Sequence, residues 1–164
     1  MDATLQAFGQ IALVGIGATA VMDAWLALLK RLGVPSLNMA FIGRWAGHAF
    51  RGRWKHDAIA KSAPIAGEAA LGWGVHYAVG IAFAALLVAA AGPSWMNAPS
   101  PIPALAFGVA TTIAPLFVLQ PAMGAGIASS RTKTPLRNCL RSLANHTVFG
   151  AGLYLAALSL RSIH

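Results

Sequence analysis

The stretch GATAVMDAWLALLKRLG, residues Gly17 to Gly33, is the part of the sequence from which the fold and a candidate site can first be predicted. It is an apolar segment that ends in the basic pair Lys30 and Arg31, and it carries one carboxylate, Asp23. A charged side chain inside a bilayer costs roughly 3 kcal/mol on insertion scales, and it usually faces other helices or a wet cavity. Asp23 therefore marks either a functional site or a structural polar contact.

The composition indicates that lipid is the solvent of this chain. Of its 164 residues, 57% are apolar and only 10% are charged. Crossing a bilayer core takes roughly 20 helical residues. Four segments are long and apolar enough, at about residues 8–29, 69–91, 102–120 and 140–160. We predict an all-α integral membrane protein, a four-helix bundle that forms one transmembrane domain over residues 1–164.

The positive charges predict how the chain is oriented. Of the twelve Lys and Arg residues, seven lie in residues 30–61 and four in residues 131–141. By the positive-inside rule the loops 30–68 and 121–139 are cytoplasmic, and both termini are outside. The net charge of +8 is then explained by topology and contact with lipid headgroups, and nucleic acid is not an expected partner.

The first basic loop contains SLNMAFIGRWAGHAF, residues 36–50, which has the pattern of an amphipathic helix with Ser36 as its N-cap. Leu37, Phe41, Trp45 and Ala49 fall on one side of that helix. Arginines and tryptophans around such a helix are typical of one that lies in the membrane interface. The residues predicted to contact anionic headgroups are Arg44, Trp45, Arg51, Arg53, Trp54 and Lys55.

Small residues recur every four positions on the faces that carry polar groups. Gly15 and Thr19 share a face with Asp23, and Gly80 shares one with His76. This spacing lets membrane helices approach closely, so we predict that these faces point into the bundle.

Two prolines predict local features of the last two helices. Pro115 predicts a kink in the third, because it has no N–H to donate to the preceding turn. Thr134 followed by Pro135 predicts the start of the fourth, as an N-cap and first-turn pair.

Five polar residues predict a layer near the cytoplasmic side. At a rise of about 1.5 Å per residue, Asp23, His76 and His146 lie roughly 8 to 10 Å inside their helices. Gln120 closes the third helix at or just below that level, and Asn145 lies beside His146. An Asp–His contact suits proton exchange near neutral pH. We therefore expect a proton and solute site made by these five residues, in a small transporter that is a homo-oligomer.

The same residues allow other interpretations. Asp23, His76 and His146 are a known type of coordination set for iron or zinc. His48, His56 and Glu68 are its outer candidates, with Asp57 nearby. A haem with His76 and His146 as axial ligands is a further possibility. A metal or haem protein could be an enzyme acting on a lipid-soluble substrate, although no nucleophile elbow or serine–histidine–acid triad is present.

A purely structural role is the remaining alternative. Buried Asp and His side chains can simply hydrogen-bond one another and set the helix register. The protein would then be a structural subunit of a membrane complex.

Three stretches carry a resemblance to a known family: GVPSLNMAFIGRWAGHAFRGRWKHDAIA, QPAMGAGIASSRTKTPLRN and HTVFGAGLYL. The chain resembles, over nearly its whole length, a bacterial family of small inner-membrane proteins known as a domain of unknown function. The resemblance implies a multi-pass protein of the bacterial inner membrane with four helices, and it implies no activity. By resemblance, the recurring polar positions include Asp23, His48, His56, Glu68, His76 and His146.

Overall fold

A computed structural model describes residues 3–36 and 38–162, so that Leu37 lies outside the described residues. Within those two ranges the chain forms helices, turns and loops and contains no β-strand, which confirms the all-α prediction. The α-helices are α1 (Ala3–Arg31), α2 (Met39–Ala49), α3 (Glu68–Ala91), α4 (Ser94–Asn97), α5 (Pro101–Ala110), α6 (Gln120–Ala122) and α7 (Pro135–Arg161).

Four helical segments in the described part of the chain are long and apolar enough to cross a membrane: Thr4–Arg31, Glu68–Ala91, Pro101–Ala122 and Pro135–Arg161. In each segment, only 22 to 28% of the 18 most apolar consecutive residues are buried inside the protein. Large apolar side chains such as Phe8 and Ile113 are accordingly more than half exposed. Such surfaces are stable in lipid rather than in water, so the four predicted spans are confirmed.

The third span is not a continuous α-helix. Helix α5 ends at Ala110, a turn follows, and residues Ala114–Leu119 form a π-helix that leads into α6. Pro115 lies in the first turn of the π-helix, where its missing N–H disrupts regular α-helical hydrogen bonding. The irregularity therefore falls where the sequence predicts a kink. The fourth span begins at Pro135, also as the sequence predicts.

The chain divides into two compact units. The first contains residues 3–34, 77–111 and 145–162. Segments of α1, α3, α5 and α7 pack there around one apolar core, whose buried members are Val14, Ala18, Ala84, Leu87, Val88, Trp95, Ala104, Phe149, Leu153 and Ala157. Phe83 packs edge-on against Phe107 and Phe149, with ring centroids 6.3 and 6.1 Å apart, so aromatic contacts link three helices.

Glycines bring the helices of the first unit into backbone contact. A Cβ added at Gly108 would lie 2.5 Å from the Cα of Gly150 and 2.6 Å from the carbonyl oxygen of His146. A Cβ at Gly15 would lie 2.5 Å from the Cα of Ile81. These separations are too short for any side chain. The small-residue faces therefore form the helix contacts, as the four-residue spacing predicts.

The second unit contains residues 35–36, 38–76 and 112–144 of the described chain. Its helix α2 crosses the beginning of α3 at two glycines. A Cβ at Gly43 would collide with the carbonyl oxygen of Glu68, and one at Gly72 would collide with that of Met39. This crossing places α2 directly against the beginning of α3, the segment that carries polar groups of this unit.

Helix α2 confirms the predicted helix but differs from it in two details. Its N-cap is Asn38, whose Oδ1 accepts a hydrogen bond of 3.0 Å from the N–H of Ala40, and not Ser36. Asn is an equally good cap and directly precedes the first helical residue. Phe41 and Trp45, expected on the apolar face, are only partly buried. The buried residues are Ile42, Gly43, Arg44, Ala46, His48 and Ala49, a wider face than predicted.

Replacing Gly108 with alanine tests the close contact between α5 and α7. We expect Gly108→Ala to lower the free energy of unfolding by about 1 to 3 kcal/mol, because the new methyl group meets backbone atoms that cannot move aside. Thermal unfolding in detergent measures the change. Gly74→Ala is the matched control, since nothing lies within 4 Å of the added Cβ. An equal loss in both variants would contradict the contact.

Candidate functional site

Asp23 in α1 accepts a hydrogen bond from a tyrosine of α3. The hydroxyl of Tyr77 donates to Asp23 Oδ2 at 2.9 Å, and both side chains are partly buried. The bond satisfies the carboxylate inside a span, where an unpaired charge is costly. Because the pair is only partly buried, other groups can still approach the carboxylate.

Two further hydrogen bonds join polar side chains of the first unit. Trp25 Nε1 donates to Asn145 Oδ1 at 3.0 Å, which joins α1 to α7. Thr111, directly after α5, lies 2.8 Å from Nδ1 of His146 through its hydroxyl oxygen. That hydroxyl also donates to the carbonyl oxygen of Gly108 at 2.6 Å. A threonine has a single O–H, so His146 Nδ1 must be the donor, and Nε2 is the nitrogen that takes up a further proton.

The five residues of the predicted polar layer are divided between the two units. Asp23, Asn145 and His146 lie in the first unit, and His76 and Gln120 in the second. The ring of His76 packs edge-on against Trp73 at 5.8 Å, and Gln120 Oε1 accepts a hydrogen bond of 2.8 Å from Ser129. Each of the five thus has a partner that the sequence analysis did not single out.

Those partners are the residues of the candidate site that sequence reasoning missed. They are Tyr77, Trp25, Thr111, Trp73 and Ser129. Only Tyr77 carried a usable signal: it directly follows His76, and a buried tyrosine hydroxyl usually has a partner. The others are ordinary residues of membrane helices and loops, and only their contacts distinguish them.

In the second unit, Arg44 of α2 and Glu68 of α3 form a bidentate ion pair. Arg44 Nε and Nη2 donate to the two carboxylate oxygens of Glu68 at 2.8 and 2.7 Å. The third nitrogen, Nη1, faces the carbonyl oxygens of Ile59, Ala60 and Ser62 at 3.1 to 3.4 Å. Both side chains are largely buried, with 11% and 17% of their surface exposed.

The pair is therefore a structural connection. It joins α2, α3 and the loop between them, and a charge buried in this way needs its partner. Arg44 differs in this respect from the other residues predicted to contact headgroups. Arg51, Arg53, Trp54 and Lys55 are exposed, and Trp45, which is partly buried, donates to the carbonyl oxygen of Trp54 at 3.0 Å.

His48 and His56 form a second buried pair. His48 Nδ1 and His56 Nε2 are 2.9 Å apart, and the rings stack with centroids separated by 5.1 Å. The two side chains are 8% and 6% exposed. One of the facing nitrogens must donate and the other accept, so the pair cannot be doubly protonated without losing the bond. Nδ1 of His56 is buried and has no hydrogen-bond partner.

Nothing in residues 3–36 and 38–162 groups three or more His, Cys, Asp or Glu side chains in a way that could hold a metal ion. The contacts found among the candidate ligands are hydrogen bonds and ion pairs: Asp23 with Tyr77, His48 with His56, and Glu68 with Arg44.

Four apolar spans with a carboxylate inside the first define the chain as a multi-pass membrane protein. Residues 12–160 match the family model described as "Protein of unknown function (DUF2938)". Because the match covers nearly the whole chain, the protein belongs to the DUF2938 family, as the resemblance in its sequence indicates. No curated protein and no solved structure matches the chain.

Replacing either member of the Arg44–Glu68 pair should destabilise the protein. We expect Glu68→Gln and Arg44→Gln each to lower the melting temperature by about 5 °C or more, because each leaves the other charge buried without its opposite charge. The double variant should lose clearly less than the sum of the two. Thermal unfolding in detergent gives all three values, with the exposed Lys61→Gln as a control. Additive losses would show that the pair is not coupled.

The stability of the protein should also fall in mild acid. Burial lowers the pKa of His56, Arg53 and His48 lower it further, and the Ala122 carbonyl and Asp57 only partly offset this. Because the folded protein then binds this proton less readily than the unfolded chain, stability is complete above about pH 6.5 and declines as the pH drops below it.

The measurement is the melting temperature as a function of pH in one detergent. His56→Phe keeps a ring at this position and should flatten the decline between about pH 6.5 and about pH 5. Lys55→Gln is the control, because it changes an exposed side chain beside His56 and leaves the buried histidine pair in place, so the slope should persist. A wild-type curve that rises toward acid would contradict the prediction.

Proposed function

We propose that this protein is a proton-linked transporter of a small solute in the bacterial inner membrane. The observation that carries the proposal is the hydrogen bond between Asp23 and Tyr77, which holds an ionisable group inside a membrane span. Intramembrane carboxylates are expensive and commonly mark ion or substrate pathways. Family membership is compatible with this function and does not specify it.

The chemistry of the pair suits proton coupling. Tyr77 can donate to Asp23 whether the carboxyl group is charged or neutral, so protonation changes the charge without breaking the contact. A solute that interacts better with one charge state than with the other is then linked to the proton. Asp23 is the proton-binding group in this proposal.

His146 and Asn145 supply the polar lining in the same unit. Nε2 of His146 is the nitrogen that accepts a second proton, and Thr111 holds the ring in place through Nδ1. His76, which directly precedes Tyr77 in α3, and Gln120 complete the proposed set from the sequence.

The proposal includes the topology and the assembly predicted from the sequence. The basic loops 30–68 and 121–139 face the cytoplasm, both termini lie outside, and the protein forms a homo-oligomer because four helices rarely enclose a path. A metal ion, a haem or a purely structural role remains an alternative prediction from the sequence. An optical spectrum and elemental analysis of the purified protein distinguish the first two from transport.

Replacing Asp23 with asparagine tests the transport proposal. Asparagine keeps an acceptor for Tyr77 but cannot be ionised, so we expect Asp23→Asn to abolish proton-coupled movement. The assay uses proteoliposomes that contain a pH-sensitive dye, with small amino acids, organic acids and sugars presented in turn. Wild-type protein should acidify the interior with at least one of these solutes. Tyr77→Phe should reduce that rate about tenfold, the effect of losing one hydrogen bond to a charged group.

The control is Ser159→Ala, which removes a polar group of a span whose hydrogen bond, to the carbonyl oxygen of Leu155, stays within its own helix. It should transport as the wild type does. Melting temperatures confirm that each variant is folded. If no solute moves protons, or if folded Asp23→Asn still does so, the transport proposal is wrong.

A further inference from the structure

The second unit contains a cavity of about 460 Å³ between two loop segments. Arg53, Lys55, His56 and Asp57 line it from the segment after α2, and Ser130 and Arg131 line it from the loop before α7. These two groups are far apart in the sequence and are brought together only by the fold. A volume of this size accommodates a small ligand.

Backbone contacts hold the two walls of the cavity together. The N–H groups of His56 and Ile59 donate to the carbonyl oxygens of Ala122 and Met123 at 2.9 and 3.0 Å. Gly124 has φ +95°, and a Cβ at this position would collide with the carbonyl oxygen of Asp57. Only glycine permits both the backbone conformation and the close approach, so the cavity is a built feature of the unit.

The side chains that line the cavity carry a net positive charge, which favours the binding of an anion. Three cationic side chains, Arg53, Lys55 and Arg131, face the cavity together with one carboxylate, Asp57. In the part of the chain that the structure describes, none of the three cations forms an ion pair. The lining therefore carries an excess of positive charge that an anion would neutralise.

Backbone N–H groups of the loop before α7 are not available to bind an anion. The N–H groups of Ser129, Ser130 and Arg131 already donate to carbonyl oxygens within the same loop. An anion in the cavity would accordingly be bound by side chains, which include the hydroxyl of Ser130.

His56 provides an independent observation. It lines the cavity, it is 94% buried, and its Nδ1 has no hydrogen-bond partner. When His48 Nδ1 donates to His56 Nε2, the neutral His56 ring must carry its proton on Nδ1. Nδ1 itself is closed off from solvent, so an anion in the cavity would act on His56 through its charge, next to the cationic Arg53, and not by accepting a hydrogen bond from this nitrogen.

We propose that this cavity binds a phosphate group, carried either by a soluble molecule or by an anionic lipid headgroup. Two guanidinium groups, an ammonium group and a hydroxyl match the many acceptor oxygens of phosphate. None of the residues that line the cavity belongs to the proposed proton and solute site, and the phosphate proposal does not depend on the transport proposal.

The experiment uses the full-length protein and two phosphate sources. Inorganic phosphate is titrated into detergent-purified protein by calorimetry, with chloride as the comparison anion. In the second arm, nanodiscs of phosphatidylcholine with and without phosphatidylglycerol are prepared, and the lipid that stays with the protein is identified by native mass spectrometry. Binding in the first arm alone indicates a soluble ligand, and retention of phosphatidylglycerol alone indicates a lipid. Either result supports the proposal.

Two matched pairs of variants assign the binding to the cavity. Arg131→Gln and Arg53→Gln remove charges from the lining, and we expect each to weaken binding about tenfold, as for the loss of one charged hydrogen bond. Arg137→Gln and Lys61→Gln remove exposed charges outside the lining, and they should change binding less than about twofold.

A separate readout needs no variant. With ¹⁵N-labelled histidine, NMR of the wild type should show a shift of one imidazole nitrogen signal, that of His56, on addition of the bound phosphate source. If neither source binds, or if the two control variants lose as much affinity as the lining variants, the proposal is overturned. Because these are binding measurements in the absence of flux, their failure leaves the transport proposal standing, and the reverse also holds.

Discussion

The absence of water in the bilayer core is the constraint on which this structure depends. Every polar group inside a span must find its partner within the protein, because hydrocarbon offers none. In the first unit this requirement is met by hydrogen bonds between different helices, such as Tyr77 to Asp23 and Trp25 to Asn145. Such bonds determine which faces of α1, α3 and α7 meet. Glycines at the crossing points, of which Gly108 and Gly150 are an example, then allow the close approach that the bonds require.

In the second unit, a buried charge has its partners within the protein as well. The guanidinium group of Arg44 is engaged by Glu68 and by three carbonyl groups of the following loop. A loop rich in Lys and Arg therefore contains cations of two kinds. Arg44 connects α2, α3 and the loop between them, whereas Arg53 and Lys55 are exposed and line the cavity. Basic residues of one loop thus differ in what they contact: Arg44 stabilises the loop, and others line a cavity.

Much of the architecture could be predicted from the sequence, because it depends on properties that are local along the chain. Hydropathy identifies the four spans, Pro115 identifies the irregular third helix, and Thr134 with Pro135 identifies the start of α7. Asp23 also stands out without any structure, since an acid inside an apolar helix is costly wherever it points. The N-cap of α2 is Asn38 and not the predicted Ser36, because serine and asparagine are nearly equivalent as caps and the sequence alone does not distinguish them.

The contacts could not be predicted in the same way, because they depend on the rotation and depth of each helix relative to its neighbours. The position of Asp23 in an apolar segment shows that it needs a partner, but the packing of α1 against α3 is needed to identify Tyr77 as the donor of a hydrogen bond. The sequence likewise shows that the first loop is basic, but the folded structure is needed to distinguish the buried Arg44 from the exposed Arg51. Burial and pairing are properties of the whole fold, and a solvated arginine and a buried one look the same in the chain.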